Sequence, residues 1–491
     1  MRILMNQKSY RLFFKKGLRI LRWTFLCYLL YFIICITIPF SKMKEVSEEF
    51  RSNFSVEQFY SDSTGVDRAM VVEDSLDALN LRLNMIEQAK ETILFSTFSM
   101  KQDVICEQIF SAVYAAAERG IKVLILGDGL SCSVDMGKNP MYYALGTHPN
   151  VTIRFYNNLN LLKPWTFNGR MHDKYIIIDD QILLLGGRNT SGYFLGNSDG
   201  KHLSYDRDIL VYNTAANTNS SKESVITQVR DYFYSVWNLK ECTDEFNTIP
   251  FFKKEKIEQA KQMFFKTYQE LCDTQPELFK PTDYMSMTLP TNKITLITNP
   301  THIMSKEPYI LYELFELMKQ AKERVWIQSP YLVFNDTMYK NFQALSESIP
   351  DFRVLLNSTA VGDNFMASSD YTFNRSKVLA TGAQFYEFQG NRSTHNKSLV
   401  IDDEIAIIGS FNFDMRSVYL DTEVMLIVHG KEFTSELAFY ISKMQNELAL
   451  PVLADGSYGE NLDVEPAIMS KFHRVIYPIT SVIFQLFRYL L

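Results

Sequence analysis

Two stretches of the chain follow one pattern, and that repeat limits the folds open to it more than any other feature. Residues 171–189 read MHDKYIIIDDQILLLGGRN and residues 394–412 read THNKSLVIDDEIAIIGSFN. Both give H-x-K-x-x-x-x-D, then six residues, then G-[GS]-x-N. A duplication of this length means that each copy sits in its own structural unit and that the units share one plan. The surrounding sequence agrees. Strand-like runs at 91–100, 122–130 and 151–157 precede the first motif, and counterparts at 323–333, 353–361 and 383–389 precede the second. Charged, helix-patterned segments separate them, and strands alternating with helices argue for an α/β fold.

Within each motif the residue types point to chemistry at phosphorus. Positions two apart on a strand share a face, so His172 and Lys174 are expected to point one way, as are His395 and Lys397. Asp179 and Asp402 fall on the opposite face, where the apolar run ends, and an Asp there suits a turn that stabilises the fold. The next strand returns toward the His end, bringing Gly186, Gly187 and Asn189 close in one copy and Gly409, Ser410 and Asn412 in the other. Small residues admit a ligand near the backbone. A lysine ammonium and an asparagine amide can hold non-bridging phosphate oxygens. Two such units facing each other would place paired histidines, lysines and asparagines around one phosphodiester, one His attacking phosphorus while the other protonates the leaving oxygen.

These duplicated motifs resemble those of the phospholipase D superfamily, whose signature is H-x-K-x4-D in two copies. The stretches HPNVTIRFYNNL, VLLNSTAVGDN, YTFNRSKVLATGAQFYEF and IGSFNFDMRSVYLDTEV look like the bacterial cardiolipin synthase branch, over about residues 68–450. The resemblance implies two α/β/α halves around one pseudo-twofold site, a phosphohistidine intermediate and no metal or other cofactor. It implies a catalytic set of His172, Lys174, Asp179, His395, Lys397 and Asp402, with Asn189, Asn412, Gly187 and Ser410 binding phosphate or supporting it. It also implies an acid downstream of each motif that orients that motif's His: Glu423 for His395 and Asp208 for His172, with His172 the nucleophile. Thr190-Ser191-Gly192, Asn396 and Asp421 depart from the family's usual residues, which bears on donor and acceptor preference. The other histidines have no comparable partners, although His202 could line the entrance to the site.

Charge distribution bears on the partner. Residues 1–44 hold nine Lys or Arg and no acid, whereas the remainder carries 41 basic against 56 acidic residues, a balance of −15. A body that acidic is a poor surface for neutralising many phosphates, which weighs against a nuclease on the same fold and against nucleic-acid partners. Trp23–Phe40, WTFLCYLLYFIICITIPF, has eighteen residues without a charge, near the lower length limit of a membrane-spanning helix. Seven basic residues precede it and no small-residue cleavage site follows, so it reads as an uncleaved single-pass anchor with a cytoplasmic N-terminus and an extracytoplasmic body, rather than a signal peptide. Phe472–Leu491 is apolar but interrupted by Pro478 and carries Arg474 and Arg488. It fits a surface-lying amphipathic helix and a helix docked on the core equally well.

The expected organisation is a basic, membrane-anchoring N-terminus (1–45), a first phospholipase D-like half (66–240), a helical linker (241–290), a second half (291–450) and a C-terminal tail (451–491). The six cysteines form no C-x-x-C pair or zinc-ligand spacing and read as free thiols. The expected activity is a membrane-anchored phosphatidyltransferase that cleaves a phospholipid, phosphatidylglycerol by resemblance, and passes the phosphatidyl group to a second phospholipid alcohol. A phospholipase D-type hydrolase releasing phosphatidic acid shares the first half-reaction and is the alternative. Two intact motifs argue against a non-catalytic lipid-binding protein.

Overall fold

A computed structural model of the chain describes residues 7–137, 139–196 and 203–491, so His202 lies outside the described residues. Its body is built on two large sheets. The first contains β1 (Asp67–Val72), β2 (Thr92–Thr97), β3 (Lys122–Asp128), β4 (Val151–Tyr156), β5 (Tyr175–Ile178), β6 (Ile182–Gly186), β7 (Asp208–Asn213), β8 (Cys242–Glu245) and β9 (Leu289–Pro290). The second contains β10 (Lys293–Thr298), β11 (Arg324–Gln328), β12 (Asp351–Asn357), β13 (Gln384–Phe388), β14 (Ser398–Ile401), β15 (Ile405–Gly409), β16 (Val424–His429) and β17 (Ala449–Val452).

The strand orders are β8-β4-β3-β2-β5-β6-β7-β1-β9 and β17-β13-β12-β11-β14-β15-β16-β10. Read in this direction they superimpose strand for strand, with β9 as the one extra edge. The duplication seen in the sequence is therefore a duplication of topology. The expected linker contributes β8 and β9 to the first sheet, and its helix Lys254–Thr274 lies in that half's outer layer through Ile257 and Phe264.

Each sheet has helices on its outer face. Helices Ser75–Gln88 and Val104–Glu118 cover the first, and Tyr309–Met318, Asp336–Ser348 and Phe365–Leu379 cover the second. The inner faces meet. Ile177, Leu183 and Leu185 share one buried cluster with Val400, Ala406 and Ile408, together with helices Val225–Trp237 and Lys431–Leu448. Strands covered on both sides have no polar face to present, which explains why β5 (YIII), β6 (ILLLG) and β15 (IAIIG) are runs of apolar residues without alternation.

Helix Gln7–Thr37 stands at the front of the chain, and residues 13–40 are long and apolar enough to cross a membrane. The C-terminal helix Lys471–Phe484 packs along helix Phe365–Leu379. Tyr477 and Ser481 are buried there, yet much of the helix's apolar surface stays exposed.

Candidate active site

The two motifs lie at equivalent places, where β5 and β14 begin. The strands start one residue after the lysine, so His172–Lys174 and His395–Lys397 occupy irregular backbone just ahead of them, not the strand interior that the alternation argument assumed. The returning strand closes on this segment as expected: Gly186 N–H donates to the Lys174 carbonyl at 3.1 Å and Gly409 N–H to the Lys397 carbonyl at 3.3 Å. Each lysine ammonium turns back to its own histidine's carbonyl at 2.5 Å.

Asp179 and Asp402 sit at the far ends of β5 and β14, in tight turns with φ of 53° and 48°. Asp179 accepts from the backbone N–H groups of Lys90, Glu91 and Thr92, and Asp402 accepts from those of Lys322, Glu323 and Arg324. A carboxylate able to accept several N–H bonds, in a turn a short polar residue tolerates, ties the start of β2 or β11 to the motif strand. Among the described residues neither carboxylate is hydrogen-bonded to the histidine of its motif, and the bonds of both go to the backbone at the far end of the strand.

The halves exchange backbone bonds at the site. His172 N–H donates to the Thr422 carbonyl at 3.2 Å, and Thr422 N–H returns to the Arg170 carbonyl at 2.9 Å. In the other half, His395 N–H donates to the Tyr205 carbonyl at 2.6 Å, and Tyr205 N–H returns to Ser393 at 3.0 Å. These reciprocal bridges carry the side chains into cross-half pairs. His172 Nδ1 lies 2.9 Å from Glu423 Oε1, and His395 Nδ1 lies 2.7 Å from Asp206 Oδ2.

Two expectations are corrected here. Glu423 serves the histidine of the opposite half, His172, not His395. The acid facing His395 is Asp206, not Asp208. Asp208 is buried against Arg82 at 3.0 Å and Arg188 at 3.2 Å, an ion-paired position in the core. Strand register explains the second error. Gly186 pairs with Asp208 and Gly409 pairs with Met425, so Asp208 is the counterpart of Met425 and Asp206 that of Glu423. Counting three residues back from Ile209, the first apolar residue of β7, gives Asp206. The first correction needed the tertiary contact, because the sequence of one half does not record which half it faces.

Gly187 and Ser410 serve these acids. A Cβ at Gly187 would come within 2.2 Å of Asp206 Oδ1, so the glycine makes room for the carboxylate. At the equivalent position the Ser410 hydroxyl donates to Glu423. Asn189 and Asn412 follow one turn further on. Both are buried, and the Oδ1 atoms have no hydrogen-bond partner among the described residues. A buried amide without a partner is costly unless something else satisfies it. The unpartnered oxygens are acceptors and suit a ligand's donor; a phosphate oxygen would be met by the Nδ2 groups of the same amides.

Burial dominates the electrostatics. Phe98 stands edge-on to His172 with ring centroids 5.1 Å apart, and Phe194 is tilted against His395 at 5.2 Å. Desolvation, followed by the Lys174 and Lys397 charges, holds His172 well below the ordinary imidazole range. His395 is also lowered by burial and by Lys397, but Asp206 pulls it back upward. Burial brings Lys174 down to about 7 and Lys397 down to about 8. Burial works against a charge on Asp206, yet His395, Lys397 and Arg188 hold it below the usual carboxylate range. Glu423 is pushed well up by burial, against the pull of Lys174 and the Ser410 hydroxyl. The pairs are thus unequal: one holds an imidazole that resists protonation, the other a carboxylate that favours a protonated partner.

Beyond the first pair, buried charges seam the halves together. Asp173 accepts from Tyr232 and Thr422 hydroxyls, both at 2.9 Å, while Asp421 accepts from Arg416 at 2.9 Å and from the Arg170 backbone N–H at 3.2 Å. Asp421 and Asp173 also lie in the field of buried Lys306, which desolvation lowers to about 7. Sequence reasoning had no signal for Lys306, since it lies outside both motifs.

A duplicated α/β fold that sets two acid-oriented histidines and two lysines at the seam of its halves defines an enzyme of the phosphodiester-cleaving, phosphatidyl-transferring phospholipase D class. The sequence model of the family described as cardiolipin synthase, PLD-like domain, matches residues 83–237 and 314–445. The chain belongs to that family. It is 25% identical over 404 residues to cardiolipin synthase C of Escherichia coli, covering 73% of this chain and 81% of that protein. It is also 25% identical over 385 residues to cardiolipin synthase 1 of Staphylococcus aureus, covering 77% of this chain and 67% of the other. Among solved structures, phosphatidylserine synthase of Haemophilus influenzae shares the fold, with a TM-score of 0.59 at 14% identity over 91% of this chain and all of that one.

Proposed function

We propose that the protein is a membrane-anchored phosphatidyltransferase that makes cardiolipin, with phosphatidylglycerol as donor. The observation that carries this reading is the crosswise pairing of His172 with Glu423 and His395 with Asp206, two oriented imidazoles at one seam. His172, held neutral with its Nδ1 toward Glu423, attacks phosphorus through Nε2. The P–O bond to glycerol breaks, and His395 gives its Nε2 proton to the departing oxygen. The hydroxyl of a second lipid then loses its proton to His395 as its oxygen attacks phosphorus and the P–N bond breaks. Lys174, Lys397, Asn189 and Asn412 hold the non-bridging oxygens, and charge on phosphorus restores the lysines' protonation. The names of the relatives support a phospholipid acceptor over water.

Purified full-length protein in detergent with phosphatidylglycerol should form cardiolipin and release glycerol without added nucleotide or metal, and should keep turning over in EDTA. Phosphatidic acid as the sole lipid product would replace the transferase with a hydrolase. The anchor is the uncharged Trp23–Phe40 stretch of the apolar segment 13–40, and the seven basic residues before it argue for a body outside the cytoplasmic membrane. Protease added to intact spheroplasts should digest the body. Digestion only after lysis would put the site in the cytoplasm.

A further inference from the structure

The C-terminal helix Lys471–Phe484 and the turn after it leave a long apolar stripe exposed although they are docked on the body. Their contacts with the body are both apolar and polar: Phe484, Tyr489 and Leu490 pack on the second half's core cluster, and Leu491 is buried in it. Thr480 and Ser369 hydroxyls meet at 2.8 Å, Gln485 Nε2 donates to Asp370 Oδ1 at 3.0 Å, and Arg488 pairs with Asp370 at 2.7 Å. Tyr477, tilted against Phe365 and stacked on His473, is 1% exposed. The outward stripe is apolar: Phe472, Val475, Ile479, Val482, Ile483 and Leu486, with Val475 68% and Leu486 71% exposed. Those positions recur at helical spacing, so they form one continuous face. Lys471 and Arg474 are exposed beside it.

What covers this face is indicated by its neighbours. The segment ends against Arg416, whose backbone N–H donates to the Leu491 carbonyl at 2.8 Å. The same arginine donates to the Asn168 carbonyl at 2.8 Å, and Asn168 donates to the Ile36 carbonyl, at the end of the apolar N-terminal helix, at 2.7 Å. Two residues therefore join the stripe to the candidate span. The loop before Asn168 also runs along that helix. Tyr28 and Tyr31 hydroxyls donate to the carbonyls of Leu161 and Leu162, whose side chains are exposed. Tyr28 lies about 14 Å before the helix's end at 1.5 Å per residue, so if the helix spans, that loop reaches into the apolar layer. Asp421, paired with the same Arg416, immediately precedes the Thr422–Glu423 pair that holds His172.

We propose that residues 472–487 and the Leu159–Leu162 loop form a bilayer-docking surface that seats the catalytic body on the membrane beside its anchor. The stripe lies in the interfacial plane, with Lys471 and Arg474 toward anionic headgroups. This rests on the membrane-anchored reading above and deepens it, because a second lipid contact reinforces the orientation that the anchor's bonds to Leu161, Leu162 and Asn168 give the body.

The test uses full-length protein in phosphatidylcholine–phosphatidylglycerol vesicles. In Val475→Trp and Leu486→Trp, the added fluorescence should fall about twofold or more when the acyl chains are brominated, as expected for rings at the acyl boundary. Phe251→Trp, an exposed position on the first half, should not respond. The triple variant Val475→Glu/Ile479→Glu/Val482→Glu should raise KM for vesicle phosphatidylglycerol about tenfold while leaving turnover of a soluble nitrophenyl phosphodiester unchanged. Probes at 475 and 486 as insensitive to bromine as the one at 251, or an unchanged vesicle KM, would overturn the proposal. So would a blue-shifted but unquenched signal with dimerisation in detergent, which would give the face to a second copy. Quenching without cardiolipin formation would sink the transferase and keep the docking surface.

Discussion

Asp206→Asn tests the site where sequence and structure part. The substitution keeps volume and an acceptor oxygen toward His395 Nδ1, now at 2.7 Å, but removes the charge. A hydrogen bond to a charged group contributes roughly 1.5–3 kcal/mol, and about half of that is lost with the charge, so the imidazolium should be disfavoured by about 0.8–1.5 kcal/mol. At 1.36 kcal/mol per tenfold, the protonated fraction of His395, and with it kcat on phosphatidylglycerol, should fall by about 4- to 13-fold in neutral buffer. The sign follows from the role of the proton: His395 must be charged to protonate the leaving glycerol, so a lower pKa moves the alkaline limb of the rate profile to lower pH. A nitrophenyl phosphodiester, whose leaving group needs no proton, should lose far less. Asp208→Asn is the control. It should unpair buried Arg82 and Arg188 and lower stability by about 3–5 kcal/mol, seen as a fall in Tm, with near-normal kcat for the protein that stays folded. Equal losses on both substrates for Asp206→Asn, or an Asp208→Asn enzyme with unchanged Tm and lost turnover, would refute the assignment.

His395→Ala should turn over very slowly on natural lipid and recover partly with the nitrophenyl substrate, while His172→Ala should be inactive on both; phosphate trapped on His395 instead of His172 would exchange the roles. In the unliganded enzyme Lys174 and Lys397 lose their protons near 7 and 8, so kcat/KM should decline as pH rises through that range, and because His172 is held well below its ordinary value the acid limb should lie below the usual imidazole range. A kcat/KM flat from pH 6 to 9 would mean the lysines do not bind the phosphate. Asp402→Ala removes the acceptor for three backbone N–H groups and should cost about 2 kcal/mol in denaturant unfolding, with the kcat of folded enzyme largely kept. A large loss of kcat at unchanged stability would return Asp402 to the chemistry.

The duplication, the α/β alternation, the two His–Lys pairs, the turn positions of Asp179 and Asp402 and the apolar N-terminal helix are all legible in the residue order. All of these are periodic or local: a repeat, an apolar run or a residue in a turn is visible within a few positions. Only the tertiary structure decided the partners of the histidines. Glu423 and Asp206 act across the seam between halves, and a contact between positions about 190 to 250 residues apart follows from how two sheets face each other, not from any local pattern. Buried Lys306 was invisible for the same reason. The C-terminal helix shows both limits at once: its composition gave an amphipathic segment, but which side faces the body depended on the polar seam offered by Ser369, Asp370 and Asn374 on a different helix.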